Sequence, residues 1–332
     1  MKHRRRFLAV LSISLALVAA IAILGVRSWI ARPPRPISLL PEGDLLFYAN
    51  LKPLHLFALN AVKPNAEYKD FIEQTGIQPE RDLDEVSMSR HDPGRGADIE
   101  SSEIFSGRFD SSRLTRYLER VATGREHYAD KTIYTIPHEG HTVRVCALDD
   151  RMVAVTNMVS SSPIRSIIEK YRHNSTFFGQ LPSAPYLAEG YYQQLPAASL
   201  AWVIYHIPPE TNKDQLLGIN LDFLQDKISV ASLRYAGSLS VSAKVFAENP
   251  AEAKRLMDSA TTFLALYRTV ALSTGAKGAD PDVKAVFESI KVEQEENKLI
   301  VNATIPDRFL QKIWSAIQAD GQSEPETTPA KK

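Results

Sequence analysis

Residues 7–26 read FLAVLSISLALVAAIAILGV, twenty residues with no charge, no proline and one glycine. This run constrains the fold more than any other stretch, because it has no polar face to present to water. As a helix rising about 1.5 Å per residue, it matches the roughly 30 Å hydrocarbon core of a bilayer. Lys2-His3-Arg4-Arg5-Arg6 come just before it, and basic residues beside a span are retained in the cytoplasm. Arg27, Arg32 and Arg35 on the far side reduce that asymmetry. A cleaved signal peptide would exit at Ala20-Ile21-Ala22, but the apolar run continues through Ile23, Leu24 and Val26. No cysteine follows the apolar core to accept a lipid. The expectation is an uncleaved signal anchor in the bacterial inner membrane. One transmembrane helix meets the lipid bilayer, residues 1–6 are cytoplasmic, and the rest of the chain is extracytoplasmic.

With the anchor set aside, 332 residues leave room for about two domains. Hydrophobic content of 44% with 23% charged residues is that of a folded soluble region, too polar for a multi-span transporter. Lys+Arg and Asp+Glu both number 39, and a balanced chain lacks the basic field that nucleic-acid binding needs. Cys146 is the one cysteine. No intrachain disulfide and no Cys-based zinc site are available, which agrees with export.

Residues 27–38, VRSWIARPPRPI, place a tryptophan at interface depth, and then Pro33, Pro34 and Pro36 favour an extended stalk. Beyond it two α+β halves repeat one order of elements. In the first half (39–180) strands are expected at 45–51, 85–90, 103–109, 132–136, 142–148 and 152–156. Helices are expected at 54–62 and 66–75, after the Asp110 cap through 121, and from 162 to about 172. In the second half (198–318) strands are expected at 200–206, 228–235, 239–246, 286–294 and 299–305. Its helices are expected at 214–225, from Pro250 to about 270, and at 307–318. Residues 181–197 form a Pro-punctuated linker, and 319–332 a disordered tail. Each half contains the β-α-β-β-α-β order of a ferredoxin-like split unit with mainly antiparallel sheets. The two openings lie about 155 residues apart, a spacing typical of one domain.

Leu40-Pro41-Glu42-Gly43-Asp44 before an apolar strand, the junction Phe246-Ala247-Glu248-Asn249-Pro250-Ala251-Glu252-Ala253, and the closing run Ala303-Thr304-Ile305-Pro306 carry a resemblance. With these motifs the chain resembles uncharacterised bacterial single-pass envelope proteins with a duplicated α+β extracytoplasmic region. The resemblance implies an address and an architecture, and it brings no catalytic residues.

Candidate chemistry is sparse. His138-Glu139-Gly140-His141 sets two imidazoles three apart, whereas the zinc-protease signature needs them four apart on a helix. After Pro137 this tetrapeptide reads as a hairpin turn. Cys146 lies in TVRVCAL with Arg144 on the same strand face. A nearby cation would activate the thiol, and a buried strand would silence it. Ser160-Ser161-Ser162 lack a G-x-S-x-G elbow and suit a helix cap. The loop at 91–96 lacks phosphate-loop spacing, and Asp82, Asp84 and Glu85 lack the calcium-loop pattern.

Aromatics give the better binding signal. Tyr186, Tyr191 and Tyr192 crowd the linker, with Phe177 and Phe178 upstream. Such residues either form a recognition surface or seal the two halves together. The expected function is therefore a non-enzymatic, membrane-anchored envelope protein that binds another envelope component or acts as a structural module, with no cofactor, no metal and no nucleic acid. The alternatives are a membrane-tethered hydrolase using His138, His141 and Cys146, and a lipid or small-ligand carrier with a cleft between the halves.

Overall fold

The computed structural model describes residues 32–55, 66–91, 100–138, 140–175, 184–208, 224–273 and 281–320. Among these residues twelve strands follow one another along the chain. They are β1 (Leu45–Asn50), β2 (Leu83–His91), β3 (Glu100–Gly107), β4 (Gly124–Tyr128), β5 (Lys131–His138), β6 (His141–Ala147) and β7 (Met152–Thr156), then β8 (Ala201–His206), β9 (Ile228–Tyr235), β10 (Leu239–Phe246), β11 (Lys291–Glu295) and β12 (Lys298–Ile305). All twelve join one sheet, in the order β11-β12-β10-β9-β8-β1-β2-β3-β7-β6-β5-β4. Every neighbouring pair is antiparallel.

This corrects the expectation of two ferredoxin-like halves with separate sheets. In a ferredoxin-like split unit the two strands of each β-α-β run parallel with another strand between them, whereas here β1 and β2, joined through the helices Ala66–Thr75 and Pro79–Asp82, are direct antiparallel neighbours. Two helical excursions, through the helix Ser111–Val121 in one half and through Pro250–Ser273 and Pro281–Ser289 in the other, reach the outer edges, and the chain then meanders back inward: β4 to β7 in one half, β11 to β12 in the other. The first strands of the halves pair with each other, Leu46 opposite Ile204 and Tyr48 opposite Trp202. Two independent sheets would each leave this strand as an unpaired edge, with its N–H and C=O row open to solvent; pairing β1 with β8 removes both edges. The outermost strands, β4 (GREHY) and β11 (KVEQE), are five residues long and rich in charge, which discourages further pairing.

The expectation of a transmembrane helix, signal anchor and single-pass topology is also corrected. Among the described residues no helix is long and apolar enough to cross a membrane. Residues 7–26, to which that expectation was assigned, lie outside them. So do residues 56–62 of the helix expected at 54–62, residues 214–223 of the helix expected at 214–225, Glu139, Phe177 and Phe178, and residues 321–332 of the tail expected at 319–332.

The helices among the described residues are α1 (Arg35–Leu39), α2 (Ala66–Thr75), α3 (Pro79–Asp82), α4 (Ser111–Val121), α5 (Ser162–Ser175), α6 (Tyr186–Tyr191), α7 (Pro250–Ser273), α8 (Pro281–Ser289) and α9 (Asp307–Asp320). Strand alternation gives the sheet two apolar faces. On one face α1, α5 and α6 cover Leu46, Ile104, Ile133, Cys146 and Ile204 with Ile37, Leu39, Ile164, Ile168 and Leu187. On the other, Leu114 and Leu118 of α4 cover Val145 and Val153, and Ala253 and Leu256 of α7 cover Val245 and Leu299. Asp110 caps α4 by accepting from the Arg113 N–H at 3.0 Å.

Three local readings change. Residues 35–38 do not belong to a solvated stalk, because Pro36, Ile37 and Ser38 are buried within α1. Of the strand expected at 286–294, residues 291–294 belong to β11, while 286–289 are helical in α8, where Pro281 suits a first helical turn. The linker is itself structured, with Leu187 and Ala188 of α6 buried against the sheet.

Candidate functional site

A concavity of about 680 Å³ opens at the β1–β8 seam. Its floor comes from the register: Tyr48 and Trp202 are directly opposite cross-strand partners on one face of the sheet, the arrangement in which aromatic pairs reinforce pairing. Their rings stack with centroids 5.6 Å apart and planes inclined by 26°. Tyr192, from the 3-10 turn Tyr192–Gln194 that follows α6, sets its ring edge-on to Trp202 at 5.7 Å. Gln193, the turn Leu195 to Ser199 and Pro34 complete the walls.

The linker that forms one wall is tied down at several points. Lys244 of β10 donates to the Gln194 carbonyl at 2.7 Å, and Ser199 donates to the Pro196 carbonyl at 2.7 Å. Tyr191 rests edge-on against Phe246 at 4.9 Å. Within the wall Ala198 has φ +59°, a left-handed conformation uncommon for a residue with a Cβ. Strain of this kind, of order 1–3 kcal/mol, persists only where the surroundings impose it and tends to collect at functional sites.

Burial, followed by the charge and hydrogen bonding of Glu85, pushes the Tyr48 phenol far above its ordinary value. Burial raises the Tyr192 phenol as well. Both stay protonated at neutral pH and act as donors or acceptors, not as bases. Glu85, from β2, is held by Lys52 at 3.5 Å.

The residues singled out from the sequence separate into three places. Tyr191 and Tyr192 pack the linker onto the second half and wall the cleft, while Tyr186 is 59% exposed and its backbone N–H donates to Glu42. His138 and His141 are cross-strand partners at the exposed tip of the β5–β6 hairpin, where Gly140 takes φ +84°. Cys146 lies five residues further along β6, about 16 Å at strand rise, and is fully buried in the core. Burial pushes its thiol up to about 12. Arg144 spends its guanidinium on the Met158 and Val159 carbonyls at 2.6 and 3.0 Å. The structure therefore does not assemble these three residues into a site. Among the described residues no group of three or more His, Cys, Asp or Glu is placed to hold a metal.

Tyr48 and Trp202, the centre of the cleft, were missed from the sequence because their strands, LLFYANL and LAWVIYH, read only as buried runs. The available signal was a polar-tipped aromatic at an inward position of each strand, since buried Tyr and Trp usually seek a partner or water.

No family model matches the chain, and no curated protein matches it. Among solved structures it is similar to crystal form I of TP0453, at 12% identity and a TM-score of 0.48 over 85% of this chain and 98% of that one. Crystal form III of TP0453 gives 13% identity and a TM-score of 0.45 over 86% of this chain and 98% of that one. A likeness of this size carries nothing about function to this chain.

Proposed function

We propose that this chain is a non-enzymatic binding protein of the cell envelope, acting outside the cytoplasm, whose docking site is the aromatic cleft at the β1–β8 seam. The observation that carries the reading is the cluster of Tyr48, Trp202 and Tyr192 in a cleft of about 680 Å³. That volume lies within the few hundred to about 1,000 Å³ of typical ligand sites; Tyr48 and Trp202, 7% and 4% exposed, form its buried floor, and half-buried Tyr192 with the turn Leu195 to Ser199 forms its accessible wall. The extracytoplasmic address rests on the basic and apolar runs of residues 2–26 and on the near absence of cysteine. Against the hydrolase alternative stands the separation of Cys146 from both histidines, with a thiol held neutral by burial.

A photo-crosslinking residue at Gln193, on the exposed rim of the cleft, tests the reading in living cells. A discrete adduct is expected there, absent with the same residue at Arg116 on α4. Equal labelling at both positions, or turnover of an ester or peptide panel by the purified chain, contradicts it.

A further inference from the structure

On the face of the sheet opposite the aromatic cleft, a second concavity of about 490 Å³ lies between α2 and α4. Arg113, Arg116 and Arg120 of α4 all line it. Spaced three and four residues apart, they fall within about 60° of one another around the helix. From α2, Asp70, Glu73 and Gln74 face this stripe across the concavity.

The partners of these arginines set them apart. Arg81, Arg125, Arg165, Arg172 and Arg308 each pair with a carboxylate. Among the described residues no arginine of the α4 stripe does. Arg113 donates to the Glu73 carbonyl, and Arg120 donates to the Gln74 side-chain oxygen at 2.6 Å. Arg116 donates only through Nε, to the Ser112 carbonyl of its own helix at 3.2 Å. The Asp70 carboxylate is engaged by the Gln74 amide at 2.5 Å instead. Gly76, with φ +76°, ends α2 against Arg113, and a Cβ there would come within 3.1 Å of its Nη1.

Like charges three and four residues apart on a helix cost stability, and no neighbouring carboxylate offsets them here. An anion in the concavity would. The lining sets three positive side chains against two negative ones, so the charge of the anion has to be concentrated. Three guanidinium forks along one stripe also suit an acceptor with more than the two oxygens of a carboxylate. A phosphate group has both properties, and arginine binds it through paired, charge-assisted hydrogen bonds. The concavity is wider than one phosphate and leaves room for the group that it esterifies.

We infer that the α2–α4 concavity binds a phosphate monoester, with Arg116 as the principal ligand and Arg113 and Arg120 beside it. This site shares no residue with the cleft and does not depend on its reading.

The test is calorimetry on the full chain. Glycerol 3-phosphate should bind saturably, and glycerol should not. Arg116→Gln, which removes one bond within its own helix, should weaken binding at least about tenfold. Arg116→Lys keeps the charge without the fork and should cost a few-fold. Asp70→Asn removes a negative charge, keeps an acceptor for Gln74, and should tighten binding a few-fold. Arg165→Gln removes the same charge on α5, away from the concavity, and should leave binding unchanged.

Sedimentation with phosphatidylcholine vesicles, with and without phosphatidic acid, separates the sources of the phosphate. Binding of glycerol 3-phosphate that depends on Arg116 assigns a soluble ester. Binding to the phosphatidic acid vesicles alone, again dependent on Arg116, assigns a lipid headgroup. If neither binds, if Arg116→Gln changes nothing, or if Arg165→Gln weakens binding as much, the inference is overturned and the cleft reading stands untouched.

Discussion

Ile204→Ala probes whether the halves fold as one body. Ile204 in β8 faces Leu46 across the seam, and both are fully buried. Its other strand neighbour, Val230, is 2% exposed. Truncating a core isoleucine to alanine costs about 2–5 kcal/mol, more where the walls cannot relax into the void. Strands on both sides fix those walls, which places the cost at about 3–4 kcal/mol by the same rule. With a urea dependence of about 3 kcal/mol per molar, the midpoint falls by about 1 M. Hydrogen exchange followed by mass spectrometry along the urea series reads peptides from β5–β7 and from β10–β12 separately. Because the sheet is continuous through the seam, both sets should lose protection at the same lowered midpoint. If the β10–β12 peptides shift while β5–β7 keep the wild-type midpoint, the halves are independent and the reasoning is wrong.

Other consequences are simpler to check. Cys146, buried and with its thiol pushed up to about 12, should resist a thiol reagent at pH 8 in the native protein and react at once in denaturant. Glu103, whose carboxyl is raised chiefly by burial, binds its proton more tightly folded than unfolded. Its stabilising contribution is therefore complete below the ordinary value of 4.5 and is lost as pH rises above it. Glu103→Gln should thus raise the urea midpoint at pH 7 and change it little at pH 4. Asp282, 3% exposed, ties α8 to α9 through Arg308 and Lys312, whose side chains are 65% and 56% exposed. Asp282→Asn leaves solvated cations behind, whereas Arg308→Ala with Lys312→Ala takes both cations from a buried carboxylate. Measured by urea midpoint, the double change should cost more, by about 1–3 kcal/mol. Ala198→Gly relieves the left-handed strain at φ +59° and should stabilise by about 0.5–1 kcal/mol in the same assay.

Much of the fold can be read locally. The alternation Leu239-Ser240-Val241-Ser242 marks β10, and Asp110 before an amphipathic run marks α4. Strand pairing depends on contacts between distant residues, which local periodicity does not encode. LLFYANL and LAWVIYH fit a strand inside a half as well as a strand joining two halves. Their pairing follows from satisfying two edges at once, and Tyr48 and Trp202 as the floor of the cleft, being a product of that pairing, stayed hidden with it. Short elements were lost for a related reason: α1, Arg35–Leu39, is helical because Ile37 and Leu39 find a core, while its prolines alone argue for an extended chain. The histidine pair shows the reverse case, where neighbours in sequence suggested a site and no third ligand joins them among the described residues.

The seam itself can be locked. Phe47 and Val203 are directly opposite in the β1–β8 register, so their Cα atoms lie about 4.5–5.5 Å apart, within the disulfide range. In a Cys146→Ala background, Phe47→Cys with Val203→Cys should oxidise nearly completely under mild conditions and migrate as a cross-linked monomer on a non-reducing gel. The offset pair Phe47→Cys with Tyr205→Cys, about 7–8 Å apart on the diagonal, should remain largely reduced. Equal yields from both pairs, or none from the first, contradict a single sheet continuous through β1 and β8.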